Sequence, residues 1–104
     1  HIKLKFIWLR QLNNMSEEIN NNVVKVSKFT LKPKGSTGFH LHALDYVIIP
    51  ITDGNLKLIN KKKQESFAAL KAGKPYFRKK GIEHNVINIG NKTITFIEVE
   101  IKDN

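Results

Sequence analysis

From residue 23 to residue 102 the chain is a succession of short alternating or β-branched runs separated by turn residues, and no other feature constrains its fold as strongly. "VVKVSKFTL" (23–31) is β-branched and stops at "KPKGSTG", where a proline, two glycines and small polar residues break the extended chain. "FHLHAL" (39–44), "YVIIPI" (46–51), "NLKLI" (55–59), "ESFAAL" (65–70), "YFR" (76–78), "HNVINI" (84–89) and "KTITFIEVEIK" (92–102) follow. Between them stand "TDGN", a lysine-rich loop, "AGKP", "KKG" and "GN". Strands that recur every eight to twelve residues or so, with tight turns between them, pack as an all-β sandwich or barrel. Asp53-Gly54 suits a tight hairpin, and "NMSEEIN" (14–20), with Ser16 as a cap, reads as a helical turn. In the last strand Phe96, Ile97 and Val99 are core candidates, while Glu98 and Glu100 face water or a pocket.

A chain of 104 residues holds one domain. Residues 23–104 are expected to form a single barrel, with residues 1–22 as an N-terminal arm or edge strand. The run "IKLKFIWL" (2–9) is apolar enough to need a partner, in its own sheet or at a neighbour's edge, which predicts a homodimer. An apolar content of 40% sets the chain apart from disordered ones. No apolar run approaches a membrane span, so no membrane partner is expected. "KLKFIWL" (3–9) carries only a short apolar stretch, below the roughly 7–15 residues of a secretory core.

The absence of cysteine removes disulfides, thiolate metal sites and a cysteine nucleophile, and fits a cytoplasmic location. The net charge of +9 raises nucleic acid as a partner. Against it, only Arg10 and Arg78 among the 18 basic residues are arginines, the side chain that reads bases in two-pronged fashion. The runs Lys61–Lys63 and Arg78–Lys80 also lack the interleaved aromatics on which bases stack. A solvated basic surface is the expectation, with no nucleic-acid partner.

Three histidines carry the chemistry. On a strand, residues i and i+2 share a face, so His40 and His42 project side by side, and two imidazoles so placed can share one metal at about 2.0–2.1 Å each. His84 follows the turn "KKGIE" and opens another strand. If the sheet curls so that these strands meet, three imidazoles converge.

With these residues in place the chain resembles the cupins. Their first motif is a glycine, five residues, H-x-H, three or four residues, a glutamate, six residues and a glycine; "GSTGFHLHALDYVIIPITDG" supplies Gly35, His40, His42 and Gly54. Their second is a glycine, five residues, a proline, one residue, a glycine, two residues, a histidine, three residues and an asparagine. "GKPYFRKKGIEHNVIN" supplies Gly73, Gly81, His84 and Asn88 at those spacings. The resemblance covers residues 23–102 and is strongest to the small stand-alone cupins of the RmlC-like, cupin 2 type, many of which have no assigned reaction. Gly35 is one residue too near His40, and Lys79 replaces the motif proline. Counting back from Gly54, the glutamate position falls on Val47; counting forward from His42 it falls on Tyr46, with Asp45 one residue before.

The resemblance implies a jelly-roll barrel of two antiparallel sheets around one divalent metal held by His40, His42 and His84. Asp45 is a further candidate ligand, otherwise a turn or surface acid, and Glu98 a more remote substitute. Histidine does not choose among Fe, Mn, Ni, Cu and Zn. The implied function is an oxygenase-, isomerase- or lyase-type reaction on a small molecule inside the barrel, which Arg78, Lys79 and Lys80 suggest is anionic. Tyr46 and Tyr76 are the candidate catalytic residues, with half-buried packing as their other role. The alternative is a non-catalytic binding or sensing cupin with a degraded or empty metal site, which the loss of the glutamate favours. If the spacing from Gly54 is right, Val47 is pocket wall and Val47→Glu restores the acid and tightens metal binding.

Overall fold

The alternation in the sequence becomes nine strands. The structure, a computed structural model, describes residues 14–103, and the apolar run at 2–9 lies outside them. The strands are β1 (Met15–Asn20), β2 (Val24–Leu31), β3 (His40–Leu41), β4 (Asp45–Pro50), β5 (Gly54–Asn60), β6 (Glu65–Leu70), β7 (Tyr76–Arg78), β8 (Glu83–Asn88) and β9 (Ile94–Ile101). They pair antiparallel throughout, as one sheet ordered β1-β2-β9-β4-β7 and another ordered β3-β8-β5-β6. No helix occurs among the described residues, so none is long and apolar enough to cross a membrane. The two antiparallel sheets expected of a jelly roll are present.

Four local expectations are corrected. Residues 15–20 are not a helical turn but β1, the edge strand beside β2, paired from Met15–Phe29 to Asn20–Lys25 with a one-residue register shift between Glu17 and Ile19. One isolated helical turn carries the cost of nucleation for a single hydrogen bond, whereas the open edge of β2 offers a full ladder. Asp53-Gly54 does not close a hairpin, because β4 and β5 belong to different sheets. Gly54 is required there for space: a Cβ would lie 2.5 Å from the Ile94 side chain on β9. The strand expected at 39–44 shortens to His40–Leu41. Ile97 and Val99 alternate with the buried Phe96 and Glu98, so they lie on the other face of β9 and are half-buried.

The two sheets close on an apolar end and stay open at a polar one. Leu31, Ile94 and Leu70 fill the closed end, and Leu56 and Phe96, the latter stacked on Phe29 at 5.2 Å between centroids, border the cavity beside them. Each such side chain contributes about 1.5–3 kcal/mol through burial. Asn88, wholly buried on β8, ties this end together. Its amide donates to Leu31 O at 2.9 Å and Lys92 O at 2.8 Å, and its Oδ1 accepts from Gly90 N–H at 2.9 Å. Towards the open end the inward positions turn polar: Glu98 follows Phe96 on β9, Tyr46 precedes Ile48 on β4, and His84 precedes Val86 on β8.

Candidate metal centre

Separate elements bring the three histidines together at the open end. His40 on β3 pairs directly with His84 on β8. His42 lies beyond β3, yet its N–H still donates to Ile82 O, and Gly81 N–H donates to His42 O, both at 2.8 Å. Gly81 holds that turn at φ 101°, a conformation open to glycine and strained for other residues. The ring planes stand nearly perpendicular to one another, at 72–88°. His42 Nε2 is 2.8 Å from His40 Nε2 and 3.1 Å from His84 Nε2.

The contact between His40 and His42 is not a hydrogen bond in the ordinary sense. His40 Nδ1 donates to Gly38 O at 2.8 Å, and His42 Nδ1 lies 3.0 Å from the carboxylate oxygen Oε1 of Glu98. A neutral imidazole has one N–H, so with both protons on Nδ1 two Nε2 lone pairs face each other. A shared cation would relieve that repulsion. Two nitrogens about 2.0–2.1 Å from one ion and at right angles to it stand about 2.9 Å apart, which the observed spacings match. Burial, with the neighbouring imidazoles adding to it, pushes the His84 pKa down to about 3. Burial also lowers that of His40, against the opposing pull of the Gly38 carbonyl. Near neutral pH both rings therefore stay unprotonated, the form in which they bind metal.

The candidate fourth ligand does not join them. Asp45 Oδ1 accepts from Lys80 N–H at 2.9 Å, which pins the turn before β8 and leaves the carboxylate outside the histidine cluster. Strand alternation settles the glutamate position: Tyr46, Ile48 and Pro50 are the buried face of β4, and Val47 and Asp45 are on the other. Val47 is therefore no part of the pocket wall, and the count forward from His42 is the one the fold follows. Tyr46 occupies the inward place, its ring stacked on His42 at 4.0 Å and 16°.

The cluster opens into a cavity of about 700 Å³ between the sheets. Tyr46 and Tyr76 both line it, and burial raises the pKa of each above its ordinary value, with the charge of Glu98 adding to the effect. Both hydroxyls therefore keep their protons near neutral pH. Of the three cations noted near the second motif only Arg78 lines the cavity, its guanidinium 4.5 Å from the Tyr76 ring centroid. Lys80 instead lies 3.7 Å from Asp103. At the rim Glu65 and Glu83 are paired with Lys57 and Lys61, at 3.6 and 3.9 Å.

Glu98 is the residue that sequence reasoning left ambiguous. It is buried, 6% exposed, and lines the cavity. The signal for it was parity: Ile94, Phe96 and Glu98 share one face of an alternating strand, so burial of the first two carries the third inside.

The double-sheet barrel and the histidine cluster at its mouth define a class, and the comparisons agree with it. No family model matches the chain. It is 39% identical to a crystallised cupin-domain protein from Bordetella pertussis Tohama I, at a TM-score of 0.81, over 86% of this chain and 92% of that one. A double-stranded β-helix, RmlC-like cupin from Methanocaldococcus jannaschii shares the fold, with a TM-score of 0.70 at 16% identity over 84% of this chain and 77% of that one. This chain belongs to the cupin family. It is also 44% identical over 85 residues to the Pseudomonas aeruginosa protein named beta-alanine degradation protein BauB, across 82% of this chain and 88% of that protein.

Proposed function

We propose that this cupin binds one divalent metal ion through His40, His42 and His84 and acts as an enzyme on a small anionic molecule held in the barrel. The observation that carries the proposal is the convergence of the three imidazoles at the cavity, with His42 Nε2 2.8 Å from His40 Nε2 and 3.1 Å from His84 Nε2. When bound, the metal supplies a Lewis acid with open positions for substrate, O₂ or water, and three neutral ligands leave its charge uncompensated. Arg78 supplies a cation for a carboxylate, and Tyr46 and Tyr76 supply hydroxyl protons to oxygens of the bound molecule. Ile48, Leu56, Leu58 and Val86 supply part of the apolar wall around them. The relative's name supports a short carboxylic or amino acid as the molecule acted on, in a degradative step of oxygenase, isomerase or lyase type.

The second reading is a binding or sensing cupin without turnover, favoured by one observation: Tyr46, not a carboxylate, holds the inward place on β4. Elemental analysis of protein purified without chelators separates the two. About one metal per chain supports the enzyme reading, and a metal-free protein that still takes up small carboxylates supports the other. We also propose a homodimer. The outer face of the larger sheet presents half-buried Val47, Ile49, Ile97 and Val99, with Phe77 exposed beside them. Light scattering that gives the monomer mass at micromolar concentration contradicts it. Nucleic acid is not among the proposed partners, and tight binding that falls steeply with salt is the result that would refute this.

A further inference from the structure

We infer that Glu98 is the positioning carboxylate of this site: it holds His42 from behind, on the side away from the other imidazoles, instead of joining them as a ligand. Three observations on this chain carry it. Tyr46 fills the inward place on β4, while on the adjacent β9 Glu98, paired with Ile48, brings a carboxylate to the neighbouring inward position. The strand beside β4 thus supplies the acid that β4 lacks.

The second observation is the burial of that acid. Glu98 Oε1 is shut off from water with no hydrogen-bond donor aligned on it, and His42 Nδ1 stands 3.0 Å away. An unsatisfied buried carboxylate oxygen is costly, so a proton on His42 Nδ1 is strongly favoured. The third is the ring clamp: Tyr46 lies flat against the His42 ring and sets its plane. Tautomer and ring orientation of His42 are then both fixed, and its Nε2 lone pair points at His40 and His84. A carboxylate behind a ligating histidine fixes the tautomer and raises the basicity of the ligating nitrogen. Here it also places one negative charge near the three neutral ligands without using a coordination position.

The consequence for metal affinity rests on the three-histidine reading proposed above, whereas the consequence for His42 alone does not. The test has two parts. In ¹⁵N-labelled metal-free protein, imidazole nitrogen shifts report the tautomer; His42 is expected as Nδ1–H, and in Glu98→Gln as a mixture. In cobalt(II) titrations Glu98→Gln is expected to bind about 10–100-fold more weakly. The control Glu65→Gln, which removes a rim charge paired with Lys57 and away from His42, is expected to stay within about threefold of the wild type. An Nε2–H tautomer at His42 in the wild type overturns the inference, as does unchanged affinity in Glu98→Gln or an equal loss in both variants. A wild type that takes up no cobalt while His42 remains Nδ1–H ends the metal reading and leaves the positioning role of Glu98 standing.

Discussion

The two walls of the barrel mouth do different work with the same alternation. The β3–β8 wall presents nitrogen: His40 and His84 are paired across it, and His42 continues it past the end of β3. The β4–β9 wall presents Tyr46, Ile48, Phe96 and Glu98, and of these only Glu98 offers a ligand atom, which with Glu100 lies near His42 and not beside His40 and His84. One wall supplies the three candidate ligands and the other packs against them. The comparison teaches that a carboxylate can be lost from its usual strand position and its charge kept at the site, provided an adjacent strand of the same sheet turns an acid inward.

The ligand wall is broken most severely by removing one of its rings. His84→Ala is expected to lower metal content from about one per chain to below about a tenth, since two imidazoles make a far weaker site. Elemental analysis checks this, and circular dichroism is expected to show the barrel intact. The same strand carries fold stability at its other end, where Asn88 ties β2 to the β8–β9 turn. Asn88→Leu strands two carbonyls and one N–H and is expected to cost about 3 kcal/mol in urea unfolding. The contrast between these variants, metal lost in one and stability in the other, separates site from scaffold along β8.

A smaller effect is set by pH. His84 has its pKa depressed to about 3 in the fold, below its unfolded value. Its neutral form therefore contributes stability that is complete above the unfolded pKa, near 6.5, and lost as pH falls from there toward 3. The unfolded chain takes up the proton first, so the metal-free protein is expected to lose about 2 kcal/mol between pH 7 and pH 5. Urea midpoints at the two pH values check this, and His84→Ala is expected to reduce the loss.

Val47→Glu is expected to do least. The side chain points away from the cavity, so metal affinity stays within about twofold, measured by the same cobalt titration. A marked tightening would mean that β4 can slip its register by one residue.

Much of this was legible in the sequence, for physical reasons that also mark where legibility ended. The period-two pattern of β2, β4, β5, β8 and β9 is local, and each run appears in the structure near its expected bounds. The histidine spacing was readable because i and i+2 on an extended chain share a face whatever the sheet does next. Which strands pair was not local. Asp53-Gly54 has the composition of a hairpin, but the chain there crosses between sheets, and only the approach of Ile94 from β9 explains the glycine. The fourth position was ambiguous because the counts from Gly54 and from His42 differ by one residue, and on a strand one residue is the difference between inside and outside. Glu98 was visible only as an acid in an alternating strand, since its neighbour His42 is 56 residues away in the chain and meets it through the stacking of the two sheets.

The account turns on three imidazoles sharing one ion. X-ray absorption on the cobalt-loaded protein counts them directly, because the outer ring atoms of each histidine scatter at distances that simple oxygen ligands lack. Three histidine nitrogens at about 2.1 Å, with only light-atom oxygen in the remaining positions, is the expected result. One or two imidazoles, or an ion bound away from His40, His42 and His84, would contradict it.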